Sequence, residues 1–268
     1  GPDCLGLMRP GIGLNVTNSS NRALPGRLAL VSQSGALCTT ILDWALPRRI
    51  GFSAMVSLGD TADVDFGDVL DFLSTDPETR SILLYVEGIH DARRFISGLR
   101  AAARMKPVIV VKAGRHSTSS KAVISHTGAL IGGDDVFEAA LARAGAVRAR
   151  TIEQLFAAAQ ILSSGYRLEG NRLAVLSNGG GPAILAADRA AELGVALPEL
   201  GESTTHRLQA LLPPSSALLN PLDLGADAEA ERFAKGLEAV LEDPSVDGAL
   251  ALVAPRACTN ATEIAEAV

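Results

Sequence analysis

One histidine, His126, sits in Ser125-His126-Thr127-Gly128-Ala129-Leu130, a loop of small residues followed by Ile131-Gly132-Gly133-Asp134-Asp135. No apolar stripe surrounds it that would bury the ring. A neutral imidazole so placed can act as a nucleophile toward phosphorus when a carboxylate holds its other nitrogen. Glu87 is the candidate partner. It follows the apolar run Ile82 to Val86, which puts it at the carboxyl end of a strand, where open α/β sheets bind ligands. A strand-end carboxylate without that role is the competing reading. Two turns complete the set: Ser32-Gln33-Ser34-Gly35 and Ser177-Asn178-Gly179-Gly180-Gly181. Each lies between a predicted strand and a predicted helix. A helix start offers backbone N–H groups and the positive end of the helix dipole to an anion. Glycine lets the anion come close, and Ser32, Ser34 and Asn178 add side-chain donors. Turns of this kind also arise for geometric reasons alone, but two of them, one per βα unit, point to a bound phosphoryl group. Neither has the spacing of a P-loop or a dinucleotide fingerprint.

Other polar residues have plainer readings beside functional ones. Lys112 and Arg115 follow a predicted strand and could help bind phosphate, or be solvated surface charge. Asp60, Asp63, Asp65 and Asp68 form an acidic cluster that hints at Mg²⁺, but their place before a helix favours capping. Asp223, in Asn220-Pro221-Leu222-Asp223-Leu224-Gly225, suits an Asx-type turn. His90 adjoins a charged helix start and reads as solvated.

The elements that must position these residues alternate. Short apolar runs at 28–31, 52–58, 82–86 and 108–111 predict strands. The stripes at 36–45, 68–74 and 91–104 predict helices. This alternation means βαβ units and a parallel sheet, and the nearly unbroken apolar strands mean helices on both faces. Residues 112–133 form a long Gly/Ser/Thr/Lys-rich loop, of a length that is functional or disordered inside a compact domain. Helices are expected at 134–144 and 151–163. The pattern then restarts: strand 173–176, helix 182–193, helix 203–211, helix 229–241, strand 248–253 and a last helix from 264. Three segments follow: 1–26, a connector from a missing preceding domain; 27–166, a first α/β domain bearing the histidine loop; and 167–268, a second, expected to be cut short.

The chain has 268 residues, 47% of them apolar, 4% aromatic and 26 glycines, which suits an α/β protein with close helix–sheet packing. A net charge of -6 with dispersed Lys and Arg argues against nucleic acid. No apolar run is long enough to span a membrane. Cys4, Cys38 and Cys258 lack metal-ligand spacing and read as free thiols of a cytoplasmic protein.

The set Val31-Ser32-Gln33-Ser34-Gly35, Glu87, Ser125-His126-Thr127-Gly128-Ala129, Ser177-Asn178-Gly179-Gly180-Gly181 and Asn220-Pro221-Leu222-Asp223 resembles the NDP-forming acyl-CoA synthetases, relatives of succinyl-CoA synthetase. The segments at 6–15, 41–44 and 57–60 resemble the branch fused to a GNAT domain, the protein lysine acetyltransferases. The resemblance implies two flavodoxin-like, parallel-sheet CoA-ligase domains with helices on both faces. It implies the reaction of acyl-CoA, phosphate and NDP to acid, CoA and NTP through an acyl phosphate. His126 would carry the phosphoryl group and Glu87 would orient it. The helix starts at Ser34-Gly35 and Gly179-Gly180-Gly181 would stabilise the phosphohistidine. Coenzyme A, phosphate and ATP/ADP with Mg are the implied cofactors. The nucleotide belongs to an ATP-grasp domain or subunit outside these residues. The resemblance also allows a fused GNAT domain and a homo-oligomer. Its alternative is a non-catalytic module that senses CoA or acyl-CoA for a GNAT acetyltransferase.

Overall fold

The computed structural model describes residues 2–115, 133–166, 168–213, 216–256 and 259–268. His126, with the other residues from 116 to 132, and Cys258 lie outside the described residues. The chain divides into two units, Gly1–Tyr166 and Arg167–Val268.

In the first unit, β3 (Pro25–Ser32), β4 (Phe52–Ser57), β5 (Ser81–Val86), β6 (Val108–Lys112) and β7 (Val147–Ala149) run parallel in the order β4-β3-β5-β6-β7. By position in the chain that order is 2-1-3-4-5, the flavodoxin-like arrangement, and the strand order reverses between β3 and β5. Helices α1 (Gly35–Ala45) and α5 (Ile152–Ser163) cover one face. Helices α2 (Phe66–Thr75), α3 (Ala92–Met105) and α4 (Asp134–Ala144) cover the other. Leu28, Ala29, Leu30 and Val31 are each 0% exposed because successive side chains enter opposite cores. Leu28 and Leu30 meet Ile41, Leu42 and Leu155, while Ala29 and Val31 meet Phe66, Leu70 and Phe95. α2 and α3 approach through Gly67 and Gly98: a Cβ on Gly98 would lie 3.2 Å from the Gly67 carbonyl oxygen.

Residues 1–26, expected as a connector, contribute strands instead. β1 (Gly6–Arg9) and β2 (Leu14–Thr17) form an antiparallel hairpin, and β1 adds antiparallel to β4, with Met8 opposite Met55. Met8 is buried there, whereas Leu14 and Val16 stay exposed. A strand with one buried anchor leaves no apolar run to read. The three-residue β7 escapes for the same reason.

In the second unit, β8 (Leu173–Ser177) lies between β9 (Leu222–Asp223) and β10 (Gly248–Leu252), all parallel. Counted along the chain this is 2-1-3, the opening of the first unit's arrangement. The helices are α6 (Gly180–Glu192), α7 (Glu202–Leu211), α8 (Ala230–Leu241) and α9 (Ala261–Ala267). Leu176, Leu208, Phe233, Val240 and Ile264 form its core. Among the described residues, no helix is long and apolar enough to cross a membrane.

Candidate functional site

The first turn is built from the end of β3. Ser32 is fully buried and Gln33 nearly so, and buried polar atoms must find partners. Ser32 Oγ donates to the Ser34 carbonyl at 2.9 Å and accepts from the Ser34 N–H at 3.1 Å. That tight loop sets Ser34 as the N-cap of α1, its Oγ accepting from the Leu37 N–H at 3.3 Å. Gln33 reaches across to the end of β5. Its Oε1 accepts from the Glu87 N–H at 2.6 Å and the Gly88 N–H at 3.1 Å, and its Nε2 donates to the Gly88 carbonyl at 2.9 Å. The turn and Glu87 are thus tied together where the strand order reverses.

The second unit repeats this device. Ser177 Oγ donates to the Gly179 carbonyl at 2.9 Å and accepts from the Gly179 N–H at 3.1 Å. Asn178 spans to the end of β10, donating to the Ala254 carbonyl at 3.1 Å and accepting from the Ala254 N–H at 2.7 Å. The neighbouring strands match too: Leu58 N–H bonds Ser32 O and Leu224 N–H bonds Ser177 O, both at 2.8 Å. One difference concerns the helix start. The N-cap of α6 is Gly179, which supplies no side-chain cap, so the first-turn N–H groups are left without one. Among the described residues, a Cβ on Gly180 or Gly181 would meet nothing within 4 Å. Packing does not demand glycine there; what it provides is open approach to backbone N–H groups.

Ser32 and Asn178, expected to offer side-chain donors to an anion, turn inward instead, because both are buried and must satisfy the turns they build. What each turn presents is helix-start backbone, with Ser34 at its half-buried edge.

Glu87 follows β5, its carboxylate close enough to the Tyr85 phenol to shift it. Burial, and then the Glu87 carboxylate, push the Tyr85 phenol up to about 12. Lys112 pairs in register with Val86, next to Glu87 in the chain, and is 6% exposed rather than solvated. Desolvation lowers its pKa, opposed by Asp134. Arg115 pairs with Asp134 at 3.4 Å.

The remaining residues take structural places. Asp65 caps α2, accepting from the Gly67 N–H at 2.7 Å, while Asp68 reaches back to the Asp65 N–H at 3.0 Å. Asp223 accepts from the Gly225 N–H at 2.9 Å, an Asx turn. His90 is exposed, its Nδ1 2.9 Å from Thr61 Oγ1. Cys38 is a buried free thiol, and burial pushes it up to about 11. The amide strap is the feature that sequence reasoning missed, and its signal was present: a Gln or Asn directly after each strand.

Residues 25–162 match the family model described as "Succinyl-CoA ligase like flavodoxin domain". The chain is 41% identical over its whole length to "Acetate--CoA ligase [ADP-forming] I" of Archaeoglobus fulgidus, covering 39% of that protein. It is 39% identical over 94% of its length to "Acetate--CoA ligase [ADP-forming] II subunit alpha" of Pyrococcus furiosus, covering 55% of it. Among solved structures, the dinucleotide forming acetyl-coenzyme A synthetase 1 of Ca. Korarchaeum cryptofilum, in complex with phosphate and ADP, superposes with a TM-score of 0.93. That match has 34% identity and covers all of this chain and 58% of the other. The chain thus spans from 39% to 58% of the length of these relatives.

Proposed function

Because this chain belongs to the succinyl-CoA ligase-like flavodoxin family, we propose that it is the CoA-ligase core of an NDP-forming acyl-CoA synthetase. Phosphate attacks the thioester carbonyl of acyl-CoA, releasing CoA and leaving an acyl phosphate. The His126 imidazole then attacks phosphorus, releasing the carboxylate and forming phosphohistidine. NDP takes the phosphoryl group to become NTP on an ATP-grasp domain or subunit, where Mg²⁺ accompanies the nucleotide. Glu87 orients the imidazole and holds its second proton. The helix starts at Ser34-Gly35 and Gly179-Gly180-Gly181 receive the phosphoryl oxygens.

The observation that carries this reading is the repeated turn: one strap-and-helix-start device in each unit, one of them fixing Glu87 at the switch point. The relatives' names, acetate–CoA ligases forming ADP, agree with it. They are ligase names, so the alternative of a sensing module for a GNAT acetyltransferase gains no support from them.

The test is single-turnover labelling of the full-length protein with γ-labelled ATP. The expected result is acid-labile label on wild type, none on His126→Ala, and slower labelling of Glu87→Gln. Undiminished acid-labile label on His126→Ala overturns the assignment.

A further inference from the structure

α3 carries four arginines along Ala92–Met105 and no carboxylate. Arg94 is matched, pairing with Asp68. Arg93, Arg100 and Arg104 are exposed and find no ion pair or hydrogen bond among the described residues. No Asp or Glu lies outside those residues to supply one. Dispersed in the sequence, the three gather on the helix. At about 100° per residue they fall within about 40° of one another, and positions i, i+7 and i+11 span about 16 Å. The buried Phe95, Leu99 and Ala102 face the opposite way. A groove of about 660 Å³ runs along the stripe, with Ala92, Ile96 and Ala101 as its apolar part.

Fold stability does not call for this stripe. Arg93 lies in the first turn, against the positive end of the helix dipole, where a cation weakens the helix. Arg100 and Arg104 stand four residues apart, a spacing at which like charges repel. Opposite charge brought from outside would relieve both. Guanidinium forks take carboxylates through paired N–H groups. The alanines and the isoleucine beside them suit aliphatic side chains, which a phosphate backbone or a lipid headgroup does not offer. The net charge of -6 also repels an extended polyanion, whereas a helix with one acidic face touches the stripe alone.

We propose that the outer face of α3 docks an acidic amphipathic helix of a partner polypeptide. Its carboxylates meet Arg93, Arg100 and Arg104, and its aliphatic side chains lie on Ile96 and Ala101. The proposal does not depend on the ligase reading above.

The test uses the full-length protein and a labelled helical peptide as probe, followed by fluorescence anisotropy. The peptide has glutamates at i, i+4, i+7 and i+11 and leucines beside them, which serves either helix direction. Wild type is expected to bind it in the micromolar range at low ionic strength, and more weakly as salt is added. A peptide with lysine in place of each glutamate is expected not to bind. Arg93→Glu, Arg100→Glu and Arg104→Glu together should lower affinity by about tenfold or more and bring on binding of the lysine peptide. Arg100→Glu alone should weaken the glutamate peptide by about threefold or more. Arg189→Glu makes the same change of charge at an exposed site of the second unit and should leave affinity within a factor of about two. Thermal melting confirms that the variants fold. The proposal is overturned if the glutamate peptide does not bind wild type, if the triple variant binds it as wild type does, or if Arg189→Glu weakens it as much as Arg100→Glu. A short DNA duplex and phosphatidylserine vesicles are run in parallel. Tighter binding of either, lost in the triple variant, assigns the stripe to phosphate groups and overturns the polypeptide partner.

Discussion

Gln33 holds Gly88 by both ends of one amide, accepting its N–H at 3.1 Å and donating to its carbonyl at 2.9 Å. Where strand order reverses, the ends of β3 and β5 diverge and their backbone groups lose ladder partners. A side-chain amide restores one donor and one acceptor, as a further strand residue would. Asn178 does the same for Ala254 with one methylene less. In the first unit the longer arm also takes the Glu87 N–H at 2.6 Å, so the strap that closes the crevice also fixes the backbone of the candidate orienting carboxylate.

Gln33→Leu keeps the volume and removes the strap. The N–H groups of Glu87 and Gly88 and the Gly88 carbonyl then lose their partner, and each buried orphan costs about 1–3 kcal/mol unless water reaches it. A net destabilisation of about 2–4 kcal/mol is expected in urea unfolding of the intact protein. A loss under about 0.5 kcal/mol would show that water replaces the amide freely.

Tyr85 supplies a pH signature. Its phenol is pushed up to about 12, chiefly by burial and then by Glu87. The unfolded chain releases that proton near its ordinary value of about 10. The native state therefore binds more protons between those values, and the stability contributed by neutral Tyr85 is lost as pH rises through that window. In a Tyr166→Phe background, ultraviolet titration is expected to show a late-ionising phenol. Glu87→Gln should lower its pKa only in part, because burial is the larger cause. A return to the ordinary value on Glu87→Gln would contradict that ranking.

The α/β class, the helices on both faces and the strand–helix alternation were legible because β3 to β6 enter two cores and so read as unbroken apolar runs. Glu87 was legible from its place one residue past such a run. The hairpin at 6–17 was not, since Met8 is its one buried residue and a single anchor makes no apolar run. Nor was the inward turn of Ser32 and Asn178. A sequence shows which residues can donate, but which way they point depends on strands 50 to 80 residues away, as the separations of 55 and 76 in the two straps illustrate. The burial of Lys112 was hidden likewise, because Phe137 of α4, which stands over it, comes from a later part of the chain.

The acidic cluster at 60–68 separates capping from metal binding. Asp65→Ala removes the acceptor for the Gly67 and Asp68 N–H groups. A loss of about 1 kcal/mol is expected, the same with and without chelator. A loss that appears only when Mg²⁺ is present in the wild-type reference would assign the cluster to the cation instead.

Gly180 separates stability from function most cleanly. It opens α6, its N-cap offers no side chain, and among the described residues a Cβ there would meet nothing within 4 Å. Gly180→Ala should therefore be tolerated and, by restricting the unfolded chain, should raise stability by about 0.4–1 kcal/mol. If a phosphoryl group approaches these N–H groups, the added methyl stands in its path. The KM for phosphate should then rise by about tenfold or more while the melting temperature increases, since small displacements at a reacting centre are costly. A more stable protein with unchanged phosphate kinetics would mean that α6 presents its open helix start to something other than the reacting phosphoryl group.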